Sequence, residues 1–342
     1  MLRVSVAGAA GYTGGELVRW LLGHPGVELV HLAAGKSAGR RVAELWPSLR
    51  GLTDGLLVEA EPGPLAADSD VVFLALPTRP AIDLAARLMA AEVRVVDLGA
   101  GFRLRDPATF HRSYGGEHPA PGLLPEAVYG LTELHCTAIR DAHLVANPGC
   151  YPTATALALA PLVREGYAEG PIVVDAKSGL SGAGRHPSEK TAFGEVNESL
   201  RPYDVGTHRH QPEIEQTLSG LGAHGGVFFV PHLVPLTRGI LASCYMRLAR
   251  SLDGERALEL YGDTYASSPF VRVTQELPRT KATLGSNFCD VTVRVDEERG
   301  LATAIAAIDN LGKGAAGQAV QNLNVMFGLP ETEGLWTAPL YP

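Results

Sequence analysis

A chain that opens on a short apolar run, breaks at once into glycines and resumes with apolar residues at helical spacing has few folds open to it. Leu2 to Ala7 reads as a buried strand, Gly8-Ala9-Ala10-Gly11-Tyr12-Thr13-Gly14 as a tight turn, and Glu16 to Leu22 as a helix stopped by His24-Pro25. In a β-α-β unit such glycines let backbone N–H groups approach a pyrophosphate, whose charge the helix N-terminus favours. The spacing here is GxxGxxG rather than GxGxxG, and a bare strand-to-helix turn is the alternative. Gly8, Gly11, Tyr12, Thr13 and Gly14 are the candidate cofactor contacts in this loop.

Further strand-like runs follow at Val27 to Ala33, Val71 to Leu76, Val93 to Leu98 and His143 to Ala146, with a helical stretch around Ala81 to Ala90. This alternation predicts a parallel sheet covered by helices. Beyond Cys150 the pattern changes. A helix from about Thr153 to Arg164 precedes strand Ile172 to Ala176, and Cys289 to Val295 alternates apolar and polar residues as half-buried antiparallel strands do. The expected class is α/β. It comprises a Rossmann-type dinucleotide-binding domain over residues 1–147 and an α+β domain with a mixed, largely antiparallel sheet over 148–313. A last helix, about Ala315 to Phe327, stops at Gly328 with Pro330 beyond.

The 342 residues suffice for two such domains. The 29 basic and 37 acidic residues leave a net charge of −8, so no global nucleic-acid footprint is expected and an anionic ligand must be held by local Arg or Lys. Apolar residues make up 46% and charged ones 19%, which excludes disorder. Apolar stretches such as Val71 to Pro77 fall short of the ~18 residues of a membrane span. The opening residues lack the pattern of a signal peptide. Cys136, Cys150, Cys244 and Cys289 are scattered without CxxC spacing, so neither a zinc ribbon nor a disulfide framework is expected. A cytoplasmic protein with no membrane partner follows as the expectation.

The residues after Val27 to Ala33 choose between dinucleotides. An acid there would bind the ribose 2′-hydroxyl of NAD, whereas Ala34-Gly35-Lys36-Ser37-Ala38-Gly39-Arg40-Arg41 offers only basic and hydroxyl groups. Lys36, Ser37 and Arg40 are therefore candidates for the 2′-phosphate of NADP(H), with a solvated basic loop as the alternative.

Asn147-Pro148-Gly149-Cys150-Tyr151-Pro152-Thr153 puts a cysteine where strand meets helix. A helix N-terminus stabilises a thiolate there, which makes Cys150 a candidate nucleophile toward an acyl group. The other three cysteines read as small buried hydrophobes. Thr207-His208-Arg209-His210-Gln211-Pro212-Glu213 is the densest polar cluster of the second half. One of its histidines can pair with the thiolate and shuttle a proton. A metal pair and a purely structural pair are the competing readings, and no further His/Cys cluster supplies the remaining metal ligands. Lys177-Ser178-Gly179-Leu180-Ser181-Gly182-Ala183-Gly184-Arg185 is a second glycine-rich loop. In it Ser178, Gly179 and Gly182 are candidates to complete a nicotinamide pocket.

Together these segments resemble the N-acetyl-γ-glutamyl-phosphate reductases of arginine biosynthesis, relatives of aspartate-semialdehyde dehydrogenase. The resemblance runs from Gly8–Gly14 through NPGCYPT, Ser178–Gly184 and the HRHxPE run to Ile308–Gly314. It implies an NADPH-dependent reduction of an acyl phosphate through a thioester. Cys150 would be the nucleophile, His208 the acid/base, His210 a supporting residue, and Arg103 the group that meets the phosphoryl oxygens. The family usually reads Ala-Asp-Phe-Arg where this chain has Ala100-Gly101-Phe102-Arg103. The resemblance also implies that the C-terminal segment 314–342 completes the cofactor domain, that Asn310 lies near the nicotinamide, and that the chain forms a homo-oligomer, a dimer or a tetramer built from dimers. A reductase of carrier-linked aminoadipyl phosphate, a cysteine hydrolase or acyltransferase, and a non-catalytic NADP-binding sensor are the alternatives.

Overall fold

The apolar opening run forms a strand buried on both faces, which places it in the middle of a sheet rather than at its edge. The computed structural model describes residues 1–341. They divide into two units, Met1–Pro148 with Ala315–Trp336, and Gly149–Gly314 with the tail from Thr337. The first unit runs β1 (Leu2–Ala7), α1 (Tyr12–Leu22), β2 (Val27–Ala33), α2 (Val42–Leu45), β3 (Leu57–Val58), α3 (Pro62–Asp68), β4 (Val71–Leu74), α4 (Thr78–Ala90), β5 (Arg94–Asp97), α5 (Pro107–Tyr114), β6 (Ala127–Tyr129), α6 (Thr132–Arg140), β7 (Leu144–Ala146). Its seven strands pair in parallel in the order β3-β2-β1-β4-β5-β7-β6. All their C-terminal ends therefore lie along one edge, where α/β sheets bind ligands. Helix α4 shows why the layers adhere: Ala81, Ile82, Leu84, Ala85 and Leu88 face inward at helical spacing onto Val72, Leu74 and Val95.

The second unit runs α7 (Cys150–Arg164), β8 (Ala168–Ser178), α8 (Phe193–Val196), β9 (Arg201–Pro202), α9 (Gln211–Gly220), β10 (Val227–Leu233), β11 (Ile240–Leu248), α10 (Gly254–Tyr265), β12 (Val271–Val273), β13 (Cys289–Asp296), β14 (Leu301–Ile308). The sheet order is β12-β13-β14-β11-β8-β10-β9, mixed in direction. Helix α7, rich in Ala and Leu, packs against this sheet and is buried from Tyr151 to Val163. Pro161 sits inside it and cannot donate to the carbonyl of Leu157. The Tyr265 hydroxyl of α10 donates to that oxygen instead, at 2.6 Å, and Tyr261 does the same for Ala158.

After a π-turn over Gly312–Ala316 the chain enters α11 (Gly317–Met326), which packs on α6 and α1 of the first unit. The tail differs from the single return expected of 314–342. From Thr337 it belongs with the second unit, where the Leu340 N–H donates to Leu284 O at 2.8 Å and the Leu340 side chain covers Gly285. No helix among the described residues is long and apolar enough to cross a membrane.

Candidate active site

In the first unit the loop between β1 and α1 is shaped by glycines with different tasks. A Cβ on Gly8, whose φ is +100°, would lie 2.2 Å from Ala75 O, and one on Gly14 would lie 2.1 Å from Gly8 O. These two let the loop fold onto the end of β4. Gly15 is equally tight against the Trp46 ring, whose Nε1–H donates to Ala9 O at 2.9 Å and pins the loop from behind. Gly11 meets nothing closer than Gly8 O at 3.6 Å and caps α1 with no side chain in the way. The first helical bond runs from Gly15 N–H to Gly11 O, so the N–H groups of Tyr12, Thr13 and Gly14 precede it, and no acid stands in the first turn. Such a surface suits a pyrophosphate.

Beside it, β2 ends in a 3-10 turn over Gly35–Ser37. Lys36 and Arg40 are exposed and Ser37 is half-buried. The sequence reading missed Glu44, which takes the Arg40 Nε at 3.3 Å. Both partners are exposed, so this pair is weak.

Arg103 stands at the same sheet edge, on the loop that follows β5. Its Nε–H donates to Asn147 O and an Nη2–H to Leu98 O, both at 2.8 Å. Asn147 is itself gripped: its Nδ2 donates to Ala315 O at 3.1 Å and its Oδ1 accepts from Asn322 of α11 at 3.0 Å. Arg103 thus holds the carbonyl three residues ahead of Cys150 in the chain.

In the second unit Cys150 is the first residue of α7, closer to the helix end than the expected start at Thr153. It is partly exposed, whereas Cys244 and Cys289 are buried, and burial raises the Cys244 thiol far above its usual range. Two neighbours were not visible as functional in the sequence. Gly149 N–H, the cap of α7, donates to the buried Glu213 Oε1 at 2.8 Å. A Cβ on Gly314 would lie 2.9 Å from the Cys150 Cβ, so that glycine makes room for the nucleophile.

His208 lies among rings, with Tyr151 at 5.7 Å, Tyr203 at 5.5 Å, Phe229 at 5.3 Å and His210 at 4.8 Å between centroids. The Tyr203 hydroxyl donates to that of Tyr151 at 3.1 Å, which donates to His232 O at 3.2 Å. Burial, with the Arg209 charge, pushes His208 down to about 4, against the pull of Asp204. The ring is therefore neutral near pH 7. His210 N–H donates to its Nδ1 at 3.0 Å, so the neutral ring carries its proton on Nε2. This differs from the resting imidazolium–thiolate pair that the sequence suggested. Burial also raises Tyr203 to about 12.

Ser178, Gly179, Gly182 and Asn310 come together in this unit. A Cβ on Gly179 would meet Arg238 N at 2.8 Å, and one on Gly182 would be 3.4 Å from Ser178 Oγ and 3.8 Å from Asn310 Nδ2. Asn310 braces two loops: its Oδ1 accepts from Gly239 N–H at 2.8 Å and its Nδ2 donates to Ser181 Oγ at 2.9 Å. Among the described residues no three or more His, Cys, Asp or Glu are placed to hold a metal ion.

Residues 3–142 match the family model described as semialdehyde dehydrogenase, NAD binding domain, and residues 150–310 that of the semialdehyde dehydrogenase dimerisation domain. Similar solved structures include aspartate semialdehyde dehydrogenase II from Vibrio cholerae, with a TM-score of 0.73 and 17% identity over 95% of this chain and 98% of that one. Aspartate semialdehyde dehydrogenase with NADP from Candida albicans gives 0.71 and 17% over 95% and 98%. At that identity the likeness concerns the fold. Among curated proteins, the N-acetyl-gamma-glutamyl-phosphate reductase of Symbiobacterium thermophilum is 51% identical, over 100% of this chain and 99% of its own. That of Desulforudis audaxviator is 50% identical over the whole of both. Half of all positions shared from end to end make this chain a member of the N-acetyl-gamma-glutamyl-phosphate reductase family.

Proposed function

We propose that this chain reduces N-acetyl-γ-glutamyl phosphate to N-acetyl-L-glutamate 5-semialdehyde in arginine biosynthesis, with NADPH as reductant and a thioester on Cys150. The observation that carries this reading is a partly exposed cysteine opening a helix whose next residue, Tyr151, packs its ring on a neutral, proton-bearing His208. Full-length relatives bear the name of that reductase, and no observation favours a carrier-linked substrate, a hydrolase or a sensor.

The residues present fit the cofactor. Gly11 and the first-turn N–H groups of α1 would face its pyrophosphate, and Lys36, Ser37 and Arg40 its 2′-phosphate. Ser178, Gly179 and Gly182, braced by Asn310, would line the nicotinamide end. When bound, NADPH supplies the hydride that reduces the thioester carbon.

The other steps belong to the chain. The Cys150 sulfur forms a bond to the acyl carbon as the bond from that carbon to the phosphate oxygen breaks, and inorganic phosphate leaves. Arg103 meets the phosphoryl oxygens as a guanidinium fork. N–H groups at the start of α7 stabilise the oxyanion of each tetrahedral species. His208 donates a hydrogen bond from its Nε2–H to that oxyanion and keeps its proton, and as the oxyanion left by hydride addition collapses, the carbon–sulfur bond breaks and frees the aldehyde and the Cys150 thiolate.

We take the first unit as the NADP-binding domain and the second as the catalytic and oligomerisation domain of a cytoplasmic homo-oligomer, a dimer or a tetramer. One face of the mixed sheet supports this, because Tyr245, Val173 and Phe228 stand in one row across β11, β8 and β10 and are exposed.

The test is NADPH formation from N-acetylglutamate semialdehyde and NADP⁺, with wild type beside Cys150→Ala. Activity that needs inorganic phosphate and vanishes in the variant, while NADPH still binds, is the expected result. Phosphate-independent turnover, or turnover without the thiol, would contradict the proposal.

A further inference from the structure

The loop from Asp97 to Arg103 is tied down more heavily than a surface connection needs. Asp97 ends β5 wholly buried, and its Oδ1 accepts from Gly99 N–H at 2.8 Å. A Cβ on Gly99 would lie 2.8 Å from that oxygen, and one on Gly101 would lie 3.3 Å from Oδ2 and 2.6 Å from Ile82 Cγ1. Backbone is thus wrapped directly around the carboxylate, and a second acid at position 101, as the family pattern has, finds no room.

The far side of the loop is held by His118, also buried. Its Nδ1 accepts from Ala120 N–H at 3.1 Å, which leaves Nε2–H to donate to Gly101 O at 2.8 Å. The ring is wedged against Phe110 at 4.6 Å and Phe102 at 5.5 Å between centroids. Arg103 then closes the loop by returning to the carbonyls of Leu98 and Asn147, while Asn147 N–H donates to Asp97 O at 2.8 Å. A buried carboxylate is costly unless its surroundings compensate it. Here they are the loop's own amides and the Arg103 charge, which hold Asp97 down against the burial that raises it to about 6.

We propose that Asp97 and His118 are positioning residues for phosphate recognition, which clamp the 98–103 loop from its two sides and so fix the direction of the Arg103 guanidinium. The proposal rests on the reading of Arg103 as the phosphoryl ligand.

The experiment measures NADP⁺ reduction with N-acetylglutamate semialdehyde at varied inorganic phosphate, in Asp97→Asn, His118→Phe, His118→Gln and Arg103→Ala, each checked for folding by its thermal melt. Asp97→Asn and His118→Phe should raise the KM for phosphate about tenfold while the KM for NADP⁺ stays at its wild-type value. His118→Gln, which keeps a donor for Gly101 O, should recover most of that loss. A folded Asp97→Asn or His118→Phe with the wild-type phosphate KM, or one in which the KM values for all substrates rise together, would overturn the clamp. If only Arg103→Ala raises the phosphate KM, the clamp alone is wrong. If Arg103→Ala leaves it unchanged, the reading of Arg103 is what fails, and the clamp falls with it.

Discussion

At the scale of single residues, the environment of His208, the group we propose to face the oxyanion, decides what it can do. An imidazole walled by Tyr151, Tyr203 and Phe229, with Arg209 next in the chain, gains a proton less readily than one in water. The sign of the pH effect follows. An unfolded chain takes up this proton near pH 6.5, the folded one only near 4, so the fold loses stability as the pH falls through that window and none of this loss is felt above it. Nuclear magnetic resonance of the His208 ring should show no titration between pH 8 and 5.5, and a midpoint near 6.5 would contradict the account. The residues of HRH alone allow either histidine; the rings of residues 151, 203 and 229 around His208 are ones that no local motif brings together. Gly314 is similar. In the sequence it is one glycine of a run, and only the fold sets it against the Cys150 Cβ, 164 residues away along the chain.

At the scale of elements, the local patterns were the most legible. The strand–glycine–helix start and the NPGC junction both form, but each helix begins inside what reads as the preceding turn, α1 at Tyr12 rather than Glu16 and α7 at Cys150. Helix α7 starts at Cys150 rather than Thr153, and the N–H of Gly149 just ahead of it is taken by Glu213, a pairing that spans 64 residues. In our proposal the turn after β2 carries the cofactor choice. Replacing Lys36 and Arg40 together by alanine should then weaken NADPH binding about tenfold or more and leave NADH binding nearly unchanged, since both charges are assigned to the 2′-phosphate. Equal losses for both cofactors, measured by fluorescence titration, would remove the 2′-phosphate assignment. The loop after β5 was legible only as a departure from the family pattern; its clamp draws on Ile82 and His118, far apart in sequence.

At the scale of the molecule, topology explains why so few residues suffice. A fully parallel sheet sends the loops after β1, β2, β5 and β7 to one edge, so a glycine turn, a basic turn and Arg103 need only sit at strand ends to share it. The second sheet leaves an apolar row uncovered, and Tyr245→Asp in that row should shift the sedimentation of the protein from oligomer to monomer. An unchanged sedimentation coefficient would place the interface elsewhere. The thioester is the claim on which the rest depends. Its most direct measurement is the intact mass of the enzyme mixed with N-acetyl-γ-glutamyl phosphate in the absence of cofactor. The account predicts one N-acetylglutamyl adduct, mapped to the peptide that contains Cys150 and absent from Cys150→Ala. An unmodified Cys150 in an enzyme that still turns over when NADPH is added would contradict it.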